Sequence, residues 1–245
     1  MACNDERTLA DCLESLVFAE EIVVVVDTKS RDASEKIAAE VATRVVVHRY
    51  EGDLEQKRFA TALAARDWVL SIDADEVVSP ELASSIRAVF AGPGPEAAGY
   101  EMNRVAWHLG RWVRHGDWHP DWKLRLFHHP RASWVGRNPH GRARVEGPVG
   151  RVEGDLFHYS HRDLADQMRR IDRHSSEAAQ ALYEEGRPPR LRDLVWRPPA
   201  RFLRSYVLKR GFLDGVVGFI VAVTIGYSVF LKYAKLRELW ASGSE

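Results

Sequence analysis

Cysteine is nearly absent from this chain: Cys3 and Cys12 are the only two in 245 residues. Both lie at the amino end, so they form neither a zinc-ligand set nor a disulfide framework, and reduced thiols in a cytosolic compartment are expected. Net charge is lacking too. With 35 basic and 35 acidic residues, no bulk field points to nucleic acid. Lysine is scarce at 7 against 28 arginines, an excess that reflects codon usage or serves bidentate phosphate contacts. Internal repeats and low-complexity runs are missing, and no secretory signal precedes the first helix. One long uncharged run exists, the 17 residues from Gly215 to Leu231.

What the chain does have is size enough for a sizeable core and a stretch that orders the rest, Asp67 to Glu76. Val69, Leu70 and Ile72 read as a short buried strand, with Asp73 and Asp75 where it runs out. In an open parallel sheet, ligands collect beyond the carboxyl ends of strands. Two carboxylates about 4 Å apart repel by roughly 4 kcal/mol at an effective dielectric near 20, and a hard divalent cation turns that repulsion into attraction. A metal-diphosphate site is the sharp reading. The plain one is that strand-end acids serve as turn residues or helix caps.

The first 76 residues alternate helix and strand, which predicts a doubly wound, mostly parallel α/β sheet. Helices are expected over Asp5 to Phe18, Ala33 to Val41 and Leu54 to Ala65, and strands over Ile22 to Val26, Val45 to Val47 and the approach to Asp73. Asp32 with Glu35 reads as a capping pair for the second helix. Only Met1, Ala2 and Cys3 precede the first turn, and the strand that normally feeds such a helix is expected to be absent from this sequence. A helix from Glu81 to Phe90 ends at Gly92-Pro93-Gly94-Pro95. Strands are expected over Gly99 to Val105, Lys123 to Phe127 and Leu156 to Ser160.

Trp107 to Trp134 holds five of the eight tryptophans and five histidines. Aromatic faces of this kind either stack on sugar rings or simply pack a loop-rich subdomain. After residue 160 comes a long amphipathic helix from Asp163, then a basic amphipathic segment from Trp196 to Arg210. As a helix, the uncharged run is about 26 Å long against roughly 30 Å of bilayer hydrocarbon. Both of its flanks are basic, so a monotopic helix or hairpin in the cytoplasmic leaflet is expected, with a buried core helix as the alternative. Three regions result: 1–98, the alternating α/β half; 99–160, the half holding the tryptophan- and histidine-rich stretch; and 161–245, a membrane-associating tail.

Taken in order, Asn4-Asp5-Glu6-Arg7, Cys12-Leu13-Glu14-Ser15-Leu16, Ile22 to Asp27, Ser30 with Asp32, Gln56-Lys57, Asp67 to Glu76 and Leu124-Arg125-Leu126-Phe127 resemble a family 2 glycosyltransferase. The branch most similar is that of lipopolysaccharide-core β-1,4-glucosyltransferase-like proteins. The resemblance implies a GT-A fold and an inverting transfer of a hexose, with UDP-glucose the first candidate donor, to a lipid-linked or lipopolysaccharide-core saccharide at the cytoplasmic face of the bacterial inner membrane. It also implies Mg²⁺ or Mn²⁺ at Asp73 and Asp75, with His158 a further ligand. Glu6, Asp27, Gln56, Lys57 and Asp73 would hold the donor.

Three departures stand out. The family's strand before the Asn-Glu-Glu turn is not seen. Related sequences carry Val-His-Glu where this chain has Pro139-His140-Gly141, so Asp121, His140 or Glu146 must supply the base, with Asp121 ranked first. Lys29, Arg31 and Arg58 replace small or amide residues. A metal-dependent phosphatase also uses two strand-end aspartates, but its pattern continues with Ser or Thr where this chain has Val77. A non-catalytic, membrane-docked sugar-nucleotide binder is the other alternative.

Overall fold

The computed structural model describes residues 1–136 and 141–242. Two compact units make up the chain: Met1–Arg104 with Asp121–Tyr159, and Val105–Pro120 with Ser160–Glu245. The first opens with α1 (Glu6–Glu14), β1 (Val23–Asp27), α2 (Ser34–Val41), β2 (Arg44–His48), α3 (Asp53–Ala62), β3 (Trp68–Leu70), β4 (Glu76–Val78) and α4 (Pro80–Phe90). Strand β5 (Gly99–His108) passes into the second unit, where β6 (Arg111–Val113) pairs with it. The first unit resumes with β7 (Asp121–His128), β8 (Ala132–Val135), β9 (Arg142–Val145) and β10 (Val149–His158).

The alternation read from the sequence is present through β3, and the fold is mixed α/β. Parallel pairing joins β1 to β2, and a parallel bridge joins Ala2 to Val26. The larger sheet, in the order β3-β7-β5-β10-β4, is built differently: β3–β7, β5–β7 and β4–β10 are antiparallel. The mostly parallel sheet expected from the first 76 residues is thus confined to the amino-terminal part. Chain segments after α4 return without helical crossovers, and a parallel neighbour requires one.

Among the described residues three apolar clusters fill this unit, one of them Leu54, Phe127 and Trp134. Leu9, Leu13, Val24, Val26, Ala38 and Ala74 form another; the third gathers Leu82, Ile86, Met102, Leu126 and Leu156. Between β1 and β3 lies a cavity of about 590 Å³, lined on one side by Ile22, Val23 and Val24 and on the other by Val69 and Leu70.

Helix α4 is fixed at its start. Ser79 Oγ accepts from Leu82 N at 3.1 Å and from Asp155 N at 3.2 Å, while Ser79 N donates to Asp155 O at 3.1 Å. Gly154 beside it has φ +96°, and a Cβ there would sit 2.6 Å from Leu82 Cα, so only glycine lets β10 pass this close. Losing the cap in Ser79→Ala should lower stability by about 1 kcal/mol. Urea unfolding midpoints check this, with catalytic rate unchanged.

Of the capping pair expected at Asp32 and Glu35, the Asp32 half is present: its carboxylate accepts from Ser34 N, the first amide of α2, as well as from Ser30 Oγ and Glu6 N, while the N-cap position itself is held by Ala33, without a side-chain bond. Burial opposes the charge on Asp32, but these donors outweigh it and hold the carboxyl at about 2.

In the second unit, α5 (Leu164–Glu184), α6 (Leu191–Val195), α7 (Arg197–Leu203), a π-turn (Arg204–Leu208) and α8 (Gly215–Ser242) follow one another. α8 is long and apolar enough to cross a membrane. Gln167 Nε2 donates to Thr224 Oγ1 at 3.0 Å, and Ala179, Tyr233 and Leu236 share a buried cluster, so α5 packs along α8.

Candidate active site

The short strand β3 ends at Leu70, and the chain turns through Asp73 and Asp75 into β4. Arg125, projecting from β7, is 6 % exposed, and its Nη2 bonds both Asp73 Oδ2, at 2.7 Å, and Glu76 Oε1. Glu76 is wholly buried and also takes Arg104 Nη1 at 3.3 Å. Arg104 in turn holds Asp121, with Nη2 at 2.8 Å and Nε at 2.9 Å from Oδ2. A continuous chain of ion pairs therefore runs Asp73–Arg125–Glu76–Arg104–Asp121. Register makes the last link, since Arg104 and Asp121 face each other across β5–β7.

Burial alone would raise the carboxyl of Asp73, but Arg125 and then Lys57 outweigh it and hold it far below the usual carboxylate range. Asp121 follows the same logic, with Arg104 and Lys123 overcoming burial. Asp75 Oδ2 stands 3.3 Å from His158 Nε2, and that hydrogen bond and charge keep it ionised against its own burial.

The residues expected to hold the donor divide in two. Lys57, on α3, lies 3.6 Å from Asp73 Oδ1 and 3.2 Å from Asp53. Asp27, at the end of β1, accepts from Lys29 N at 3.1 Å and Tyr50 N at 3.3 Å. Burial opposes its charge, and those amides outweigh it. Gln56 and Glu6 have structural partners: Gln56 Oε1 meets His48 Nδ1 at 2.9 Å, and Glu6 Oε2 accepts from Ala33 N at 3.1 Å.

His140 lies outside the described residues. Gly141 is packed on Leu54, where a Cβ would stand 2.9 Å from Leu54 Cδ1. Glu146 is exposed after β9. Of the clustered tryptophans, Trp134 is a core residue: it is 7 % exposed, packs edge-on against Phe127 and donates Nε1–H to Thr61 Oγ1 at 2.9 Å.

Among the described residues, no group of three His, Cys, Asp or Glu converges as a ready cage for a metal. Asp75 and His158 do offer an adjacent oxygen and nitrogen beside Asp73. The Asp75 oxygen suits a hard cation that completes its shell with water and substrate phosphates, the habit of Mg²⁺, whereas the His158 nitrogen is not a donor such a cation prefers.

Glu76, Arg104 and Arg125 were not legible as site residues. The one signal for Arg125 is a charge at an inward position of an alternating strand, Leu124-Arg125-Leu126-Phe127.

An α/β unit with acids clustered at a strand end is an arrangement suited to handling a charged leaving group, and the whole amino-terminal part of the chain, residues 1–146, matches the family model for glycosyl transferase family 2. The chain belongs to that family and is a glycosyltransferase. A curated relative, the lipopolysaccharide core biosynthesis glycosyltransferase LpsC of Rhizobium meliloti, is 28 % identical over 242 residues, spanning 96 % of this chain and 89 % of that one. An uncharacterized glycosyltransferase of Rickettsia typhi, RT0209, is 27 % identical over 250 residues, spanning 96 % and 84 %. Among solved structures, S. aureus TarS 1-349 aligns over 99 % of this chain and 90 % of that one, at 14 % identity and a TM-score of 0.44.

Proposed function

We propose that this glycosyltransferase moves a hexose, with inversion, from a nucleotide sugar to a hydroxyl of a lipid-linked or lipopolysaccharide-core saccharide. UDP-glucose is the first candidate donor, and the cytoplasmic face of the inner membrane is the place of action. The observation that carries the reading is the ion-pair chain, which ties the strand-end Asp73 to Asp121 across the sheet. The relative named for lipopolysaccharide core biosynthesis supports the acceptor class.

In this reading Asp121 takes the proton from the acceptor hydroxyl. The acceptor oxygen then bonds the anomeric carbon as the carbon–oxygen bond to the diphosphate breaks, and the nucleoside diphosphate leaves. One displacement inverts the configuration and needs one base. Mg²⁺ or Mn²⁺, held by Asp73, Asp75 and His158, would neutralise charge on the departing diphosphate. Lys57 and Asp27 orient the donor.

Asp121→Asn tests the base. Transfer should fall about 10²–10⁴-fold, the usual worth of a positioned base, while donor uptake is retained. Full activity in that variant ends the assignment to Asp121. Retained donor uptake by the wild type, with no transfer to any acceptor, would instead favour a sugar-nucleotide binder.

The pH profile offers a second check. Because Arg104 and Lys123 depress the Asp121 carboxyl, the base is ionised throughout the neutral range and activity is lost only as pH falls through that depressed value. Arg104→Gln should move the acid limb of kcat upward in pH.

A further inference from the structure

Much of the second unit's apolar surface is gathered on two helical stripes. On α8, Val216, Phe219, Val223, Tyr227 and Phe230 are each between 42 and 75 % exposed and recur three or four residues apart. Along α7 and the π-turn, Trp196, Leu203 and Val207 stand seven and four residues apart, with Leu208 next to them 78 % exposed. The two helices pack closely. Phe202 meets Phe219 edge-on at 5.8 Å, and a Cβ at Gly226 would lie 3.1 Å from Pro198 O. Stripes of this size are not left in water without a partner.

Charge identifies the partner. The 21 residues from Arg190 to Arg210 carry seven Arg or Lys and a single acid, Asp193, paired with Arg197 at 2.7 Å; Asp117 takes Arg201, Arg204 and Lys209, and Arg190, Arg192 and Arg210 stand exposed. A symmetric second copy would set these like charges against each other. An anionic lipid leaflet receives the apolar stripes in its acyl boundary and the bases at its phosphates, and a tryptophan suits that boundary.

The same geometry decides between lying on the membrane and crossing it. The other face of α8 is covered by α5, whose exposed Arg169, Asp172, Arg173 and Glu177 lie on a helix as long as the bilayer core is thick. A transmembrane α8 would carry those charges to membrane depth, where they are strongly disfavoured.

We infer that α7, the π-turn and α8 form an interfacial surface that docks in the plane of an anionic leaflet without spanning it. This deepens the proposal that the acceptor is membrane-borne, but it is tested independently of transfer.

Full-length protein should float with vesicles containing phosphatidylglycerol and bind phosphatidylcholine vesicles at least about tenfold more weakly. Leu208→Glu with Val216→Glu, at exposed positions, should cut binding at least about tenfold with unchanged circular dichroism. Replacing exposed Arg190, Arg192 and Arg210 by glutamate should erase the preference for anionic lipid. Spin labels at 216, 223 and 230, in a Cys3→Ser background, should report one shallow depth. A crossing helix would spread them over about 20 Å. Absence of vesicle binding, a graded depth series, or a dimer that Leu208→Glu dissociates without any lipid uptake would each overturn the inference. Loss of transfer with vesicle binding intact would count only against the enzymatic reading.

Discussion

Arg125→Met should destabilise the protein by about 3–5 kcal/mol, the cost of removing one partner from a buried ion pair. The guanidinium is the shared cation of Asp73 and Glu76, and Glu76 has no exposed surface. Methionine fills similar volume but leaves that carboxylate with Arg104, at 3.3 Å, as its cation and Asp73 N, at 3.1 Å, as a neutral donor. Lysine at 125 keeps the charge but lacks the planar fork, so it should recover only part of the loss. A second change, Glu76→Gln, should restore stability in the Arg125→Met background, because the buried negative charge is then gone.

Urea unfolding of the four combinations measures the coupling, and a single-variant loss under about 1 kcal/mol would place the pair outside the buried class. The pH dependence has a definite sign. Asp73 is depressed in the folded state, so its contribution is complete above the ordinary carboxylate range and is lost as pH falls through the folded value. In Arg125→Met that acid-side loss should begin at higher pH.

Asp73→Asn should act on chemistry as well as on stability. Transfer should fall about 10²–10³-fold, the scale for deleting one electrostatic stabiliser of a developing charge. Stability should fall as well, since the amide oxygen still accepts from Arg125 but the charge that balances Arg125 and Lys57 is gone, so transfer is compared on protein shown to be folded by circular dichroism. Donor uptake followed by calorimetry should lose its dependence on Mn²⁺. Unaltered cation dependence in a folded Asp73→Asn protein would move the metal away from this residue, to Asp75 and His158.

The amino-terminal alternation was readable because each element there carries its own period. β1 is a run of valines ending in Asp27, and α1 shows Leu9, Cys12 and Leu13 on one buried face. Asp73 and Asp75 were legible for the same reason, as acids placed where an apolar strand stops. The short strands β4, β6, β8 and β9 were not: three or four residues hold too little period, and pairing rather than composition makes them strands.

Asp121 could be singled out, but its partner could not. Arg104 stands opposite only because of the β5–β7 register, which shifts between Tyr100 and Glu101. Register belongs to the folded sheet, not to any one segment. The capping role read for Asp32 is shared: its oxygens accept from Ser34 N, the first amide of α2, and also from Glu6 N and Ser30 Oγ.

The cavity between β1 and β3 leaves Asp27 and Asp73 on separate slabs. Helix α1 packs on both sides, with Leu9 and Leu13 against Val24 and Val26 and Cys12 Sγ 3.6 Å from Asp73 O. In the proposed reaction a nucleotide sugar held at both strand ends would rivet the two sheets together as well as serve as substrate.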